Sequence, residues 1–177
     1  MSGPKPFLIA AGVTAAALLG LAPALSQTSA LKGHNSNAPV DVAADRIEVQ
    51  DRADRAIFSG NVVVKQAELT LTAPRLTVAY SSSGGIEIER IDAAGGVTMR
   101  SPSETARGQY AIYDLDSRLI TLIGGVQLIR GDSQVNGGRL VIDLRTGRAV
   151  IDGGAPAGVS SQGSRVTGTF TVPQQRD

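Results

Sequence analysis

The chain carries one histidine, His34, and no cysteine. A histidine-based triad or a multi-histidine metal site has no second imidazole to draw on, and thiolate metal sites and thiol nucleophiles have no source. Acid–base work would fall to carboxylates. Asp45, Asp51, Asp54, Asp116, Asp143 and Asp152 lie mostly at polar positions of an alternating pattern or in turns. A glycosidase needs two carboxyls at a fixed separation across a cleft, and no spacing here singles out such a pair. Neither GxGxxG nor GxxxxGKS occurs, so no phosphate loop is present. The expectation is a protein that is not an enzyme, with no catalytic residue, metal or cofactor. Lys65, Arg75, Arg100, Arg107 and Arg130 are candidates to meet phosphates at a rim, or are simply solvated surface charges. What remains is apolar chemistry, in which each buried methylene contributes about 0.8 kcal/mol.

The elements that would present such a surface are strands. "VDVAADRIEVQ" alternates at Val40, Val42, Ile47 and Val49, and "GNVVVKQ", "ELTLTA" and "RLTVAY" continue the period-two pattern through Tyr80. Thr, Val and Ile dominate, as strands prefer, and no helical periodicity is sustained after residue 26. In the phase of Val62 and Val64 lie Phe58, Leu69, Leu71, Leu76, Val78, Met99, Tyr113, Val126, Leu128, Val135, Leu140 and Ile142. The opposite phase holds Asn61, Lys65, Gln66, Thr70, Thr72, Arg75, Thr77 and Arg139. One face is apolar and the other wet along the whole array. The apolar face serves either as a closed core or as the lining of a groove. Branched aliphatics with few aromatics, and no helix to cap the edges, favour a slot that takes acyl chains.

The pattern repeats. "FSGNVVV" (Phe58 to Val64) corresponds to "LIGGVQL" (Leu122 to Leu128) at an offset of 64, and the match continues through Arg75 and Arg139 to Val78 and Ile142. Gly60, Gly95, Gly124 and Gly153 recur at 35, 29 and 29 residues, which reads as strand–corner–strand units stacked along one axis. "SSSGG" (Ser81 to Gly85), "RSPSE" (Arg100 to Glu104) and "RTG" (Arg145 to Gly147) are the expected turns, and Pro74 marks a further corner.

Phe7 to Ala22 is an apolar run behind Lys5, short for a membrane span, and "APALSQ" supplies small residues for cleavage after Ser26. Residues 1–26 therefore read as a secretory signal peptide, with an uncleaved anchor as the alternative. Loss of Lys5 takes the formal charge from +1 to zero. A neutral chain with three Tyr, three Phe and no Trp lacks the basic, stacking surface of a nucleic-acid binder. Residues 27–38 read as a flexible leader, 39–173 as the domain and 174–177 as a tail.

The motifs from Pro39 to Pro173 resemble the OstA-like domain of the LptA family of periplasmic lipopolysaccharide transport proteins. The resemblance rests on the Pro39–Asp45 start, the "FSGNV" corner at Phe58 to Val62, the Ala73–Tyr80 strand, "IERIDAAGGVTM", "ARGQYAIYDL", "LIGGVQLIRGDSQVNGGRLVIDLRTGRA" and the terminal "RVTGTFTVP". The second and third corners depart from it in reading Gly-Gly rather than Gly-Asn. The resemblance implies an all-β jellyroll of two facing antiparallel sheets, open at both ends, that binds lipopolysaccharide in the periplasm through its lipid A acyl chains. It also implies an LptC-like inner-membrane subunit at the N-terminal edge and an LptD-like outer-membrane protein at the C-terminal edge. On the residues themselves, the edge strands offer Val40, Val42 and Ile47 at one end and Val166, Thr167 and Thr169 at the other. Unpaired edges of this kind also allow head-to-tail self-association. Two other readings stay open: a membrane-anchored LptC-like subunit and a carbohydrate-active β-helix.

Overall fold

The computed structural model describes residue 31 and residues 33–82, 84–153 and 165–171. Its strands are β1 (Asp41–Ala43), β2 (Arg46–Gln50), β3 (Arg55–Gln66), β4 (Leu69–Ser81), β5 (Glu87–Arg100), β6 (Thr105–Asp114), β7 (Leu119–Arg130), β8 (Ser133–Asp143), β9 (Arg148–Asp152) and β10 (Thr167–Thr169). They form one 10-stranded sheet in the order β1-β3-β4-β5-β6-β7-β8-β10, with β2 also on β3 and β9 also on β8. Each ladder is antiparallel. A β-helix stacks parallel coils, so the carbohydrate-active β-helix reading is set aside.

The long strands share one line of ladder breaks, and the β4–β5 ladder shifts again between Ala79 and Tyr80 near its end. The ladders break between Ser59 and Val62, Thr72 and Arg75, Ala94 and Val97, Arg107 and Tyr110, and Ile123 and Val126. These breaks line up into a ridge that divides the sheet into two leaves. One leaf holds β1, the C-terminal half of β3, the N-terminal half of β4 and their counterparts down to β10. The other holds β2, the first half of β3, the second half of β4 and onward to β9. The leaves fold face to face, and Val62, Val97 and Val126 of the first share one buried cluster with Leu76, Ile120, Leu122, Leu140 and Ile142 of the second. Leu76, Leu122 and Leu140 are 0 % exposed. Each such side chain contributes about 1.5–3 kcal/mol of burial.

The corner glycines of the outgoing strands sit at these breaks, with positive φ at Gly60, Gly95 and Gly124. At Gly60 (φ 77) and Asn61 (φ 46) the chain passes through the left-handed region, and Asp45 holds it there. Asp45 N donates to Gly60 O at 2.9 Å, and Asn61 Nδ2 donates to Asp45 Oδ2 at 2.9 Å. This clasp explains why the Ala-Asp start and the Gly-Asn corner occur together. It also splits the expected first strand, Val40 to Val49, at Ala44–Asp45: β1 pairs with one half of β3 and β2 with the other. A Cβ on Gly60 would run into the Asp45 carboxylate. Gly60→Ala is therefore expected to cost at least about 1–2 kcal/mol by thermal melting, whereas Gly84→Ala, with open space around its Cβ, stays within about 0.5 kcal/mol.

The returning strands bend without a Gly-Asn signal. β4 runs through Pro74, whose missing N–H falls in the ladder break between Thr72 and Arg75. The three expected turns fall between β4 and β5, β5 and β6, and β8 and β9. The hairpins at Ala67-Glu68 and Gly131-Asp132 are additional, each closed by a positive φ, at Ala67 and Gly131. Gly153 directly follows β9, and the continuation of that fourth corner lies outside the described residues.

Candidate functional site: an apolar groove between two leaves

The space between the leaves varies along the stack. At the N-terminal end a slot of about 420 Å³ is lined by Val40, Val42, Val49, Ala56, Phe58, Val78, Tyr80, Ile86 and Ile88, with Asp51. At the C-terminal end a slot of about 340 Å³ is lined by Leu128, Arg130, Ser133, Val135, Ala149 and Phe170. Between them the interior narrows to about 20 Å³, lined by Val40, Val64, Gln66, Leu69, Leu71, Ile91, Met99, Ala111, Tyr113 and Ile120. Both end slots are within the size range of small-molecule and lipid sites, and the middle is not.

The residues expected to line a groove divide accordingly. Phe58 and Val78 line the N-terminal slot, and Leu128 and Val135 the C-terminal one. Val64, Leu69, Leu71, Met99 and Tyr113 line the narrow middle. Val62, Leu76, Val126, Leu140 and Ile142 are fully packed and join the leaves. All face inward, as the period-two phase requires. Val49, Ile88 and Phe170 are lining residues outside the expected set, and all three continue the same alternation.

At both ends apolar side chains are left uncovered. Ile47 pairs with inward-facing Phe58 and is 55 % exposed, and Val49 is 60 % exposed. Val166 and Phe170 are exposed at the other end. Of the remaining edge residues, Val42 is half-buried on β1, Val40 precedes it in the slot, and Thr167 and Thr169 are exposed on β10. β2 and β9 each pair on one side among the described residues.

Gln66 does not lie on the wet face. It follows Val64 by two residues, so the pleat turns it inward, and it is 3 % exposed. Four hydrogen bonds satisfy its amide. Nε2 donates to Ser36 O and Ala38 O, both at 3.0 Å, while Oε1 accepts from His34 Nε2 and from Tyr113 Oη, also at 3.0 Å. Burial raises the Tyr113 phenol above its ordinary pKa, which keeps it a donor. His34, Ser36 and Ala38, the other three partners of Gln66, come from the stretch read as a leader, within which Leu31 is 3 % exposed and joins the core cluster.

Of the rim cations, Arg130 is engaged: its Nε donates to Glu104 Oε1 at 2.7 Å. Glu104 is a buried acid without any mark in the alternation. Arg107 donates to Gln127, and Lys65, Arg75 and Arg100 are exposed. Among the described residues no group of three His, Asp or Glu is placed to hold a metal, and no helix is long and apolar enough to cross a membrane.

A family model described as LptA/(LptD N-terminal domain) LPS transport protein matches residues 41–148, more than half of the chain. The chain belongs to this family. An uncharacterized protein of Rhizobium meliloti (strain 1021) is 32% identical over 154 residues, covering 82% of this chain and 83% of that protein. The lipopolysaccharide export system protein LptH of Pseudomonas aeruginosa is 26% identical over 147 residues, covering 80% and 83%. The crystal structure of LptH, the LptA homologous periplasmic component of the lipopolysaccharide transport device of P. aeruginosa, superimposes with a TM-score of 0.68 at 20% identity, over 78% of this chain and 99% of that one. The shared fold is the two-leaved antiparallel jellyroll, and the family is one of lipopolysaccharide transport proteins.

Proposed function

We propose that this chain is a periplasmic bridge protein that carries lipopolysaccharide from an inner-membrane complex to an outer-membrane translocon, with lipid A acyl chains held between its leaves. The observation that carries this reading is the continuous apolar interior face, which widens into a slot at each end and stays uncovered there. Branched aliphatic walls bind acyl chains by burial alone, at about 0.8 kcal/mol per methylene. Sugars and phosphates remain outside, because the narrow middle is apolar apart from the mutually bonded Gln66 and Tyr113, and polar groups such as Asp51, Arg130 and Ser133 stand only in the end slots. No residue is assigned a catalytic role. Residues 1–26, which lie outside the described part, act in this reading as a signal peptide that directs export.

The ends supply the partners. The edge formed by β1 and β2 would dock an LptC-like inner-membrane subunit, and the edge of β9 and β10 an LptD-like outer-membrane protein. Copies of this chain would stack by the same contact. An uncovered apolar end continued by a neighbour's interior prolongs the groove, and strand edges add main-chain hydrogen bonds.

Site-specific photocrosslinking in cells tests the groove. Val78 is 4 % exposed and faces the N-terminal slot, while Thr77 points to the outer face. A photoreactive residue at 78 is expected to yield a lipopolysaccharide adduct and one at 77 to yield none. Equal adducts from both positions, or none from either, would show that the interior face does not carry the lipid.

A further inference from the structure

We propose that the segment from His34 to Pro39, with Leu31, is a strap across the side opening of the groove, which must swing aside before an acyl chain can pass. The inference rests on the lipid-groove reading and adds a gate to it.

The leaves are joined along the corner ridge, so the groove opens sideways only at the opposite rim, where the strand tips lie. Gln66 is the last residue of β3, at the tip of one leaf. Tyr113, near the end of β6, is at the tip of the other. The Tyr113–Gln66 hydrogen bond spans this rim directly. The strap lies across it as well: His34, Ser36 and Ala38 bond Gln66 on one leaf. Arg118, in the β6–β7 turn of the other leaf, donates to Asn37 Oδ1 at 3.3 Å.

The obstruction is measurable. Under this knot the interior falls to about 20 Å³, room for roughly one water and far too little for an acyl chain. The slots on either side hold about 420 and 340 Å³. Leu31 adds an apolar side chain from the strap to the core cluster. A lipid whose tails travel inside while its sugars travel outside must trail its linkage through the side opening, and the strap crosses that path. Gln66 makes the strap reversible. All its hydrogen bonds to the strap are side-chain bonds that water can replace, whereas the β-ladders stay intact when it lifts.

Lipid A binding to three forms of the full chain tests the strap: unaltered, His34→Ala, and a form lacking residues 27–38. Each is checked for native sheet content by circular dichroism, and purified lipid A in detergent micelles is the probe. A closed strap lowers apparent affinity by the fraction of open molecules, so its removal is expected to tighten binding about tenfold and His34→Ala about threefold. Unchanged or weaker binding in both variants overturns the strap while leaving the groove standing. If the deletion does not fold, His34→Ala decides alone. Absence of binding in all three forms means that the lipid-groove reading itself fails, and the strap falls with it.

Discussion

Leu71→Asp is expected to abolish cooperative folding or cost about 3–5 kcal/mol, while Thr70→Asp, one residue away, changes stability by less than about 1 kcal/mol. Both lie on β4, and chemical denaturation of the two variants side by side gives the comparison. Leu71 is 7 % exposed and lines the narrow middle of the groove, with Val64 and Met99 as its cross-strand partners. A carboxylate there enters an interior of about 20 Å³ lined by Val64, Leu69, Ile91 and Met99, where the amide of Gln66 is already fully hydrogen-bonded. Thr70 faces outward between Lys65 on β3 and Arg100 on β5. An aspartate in that place gains two cross-strand cations, so its small effect is expected to be stabilising at low salt and to fade as salt rises. Thr77 would be a poorer control, because Asp92 stands directly opposite it and repels a new carboxylate. A larger loss at position 70 than at 71 would show that β4 has the opposite phase, and every inward assignment on the sheet would then invert; equal losses would refute the division into an apolar and a wet face at this point.

That phase was legible because alternation is a local property. Leu69, Leu71 and Leu76 each stand between polar chain neighbours, Val62, Val64 and Val78 keep the same two-residue spacing, and all six are buried. The outgoing corners were legible for a similar reason, since Gly60, Gly95 and Gly124 recur inside strand-like alternation and adopt positive φ. The corners of the returning strands carry less signal. Pro74 marks the first of them, in the break between Thr72 and Arg75, whereas Gly108-Gln109, in the break between Arg107 and Tyr110, has no Gly-Asn or Gly-Gly pair to announce it. Gln66 shows the same limit more sharply. Its place two residues after Val64 turns it inward, but its polarity argues for the wet face. Only partners about thirty residues upstream, Ser36 and Ala38, decide the matter. The strap that supplies them has no periodicity of its own, so a polar, Asn-rich sequence reads as a leader. Glu104 is likewise unmarked, because its burial depends on Arg130 in a different hairpin. Polar residues inside this fold are thus specified by pairs distant in sequence, and apolar ones by spacing.

Two single substitutions at opposite ends are expected to give a chain that stops at a dimer. Ile47→Asp places a charge on β2 where an apolar side chain is 55 % exposed. Because that position is open to solvent in the single chain, stability should change by less than about 1 kcal/mol. In a stack the same position is covered by a neighbour, and a buried unpaired carboxylate weakens the contact by about 2 kcal/mol or more, roughly thirtyfold. Thr167→Pro acts at the other end. It removes a backbone donor from β10 and fixes φ, which impairs that edge as a template while leaving the groove residues untouched. If the parent stacks as proposed, each variant alone is expected to be monomeric by light scattering at the same concentration. The mixture separates the two possible symmetries. If contacts are head-to-tail, the intact C-terminal edge of the Ile47 variant meets the intact N-terminal edge of the Thr167 variant. Both outer edges of that pair are disabled, so growth ends at one heterodimer. If the contact were isologous, each edge meeting its own kind, each variant alone would still pair through its intact edge. Dimers of the separate variants, or open-ended growth in the mixture, would therefore refute head-to-tail docking. A groove that must stay continuous across a compartment needs this polarity, because only head-to-tail joints set the C-terminal slot of one copy against the N-terminal slot of the next.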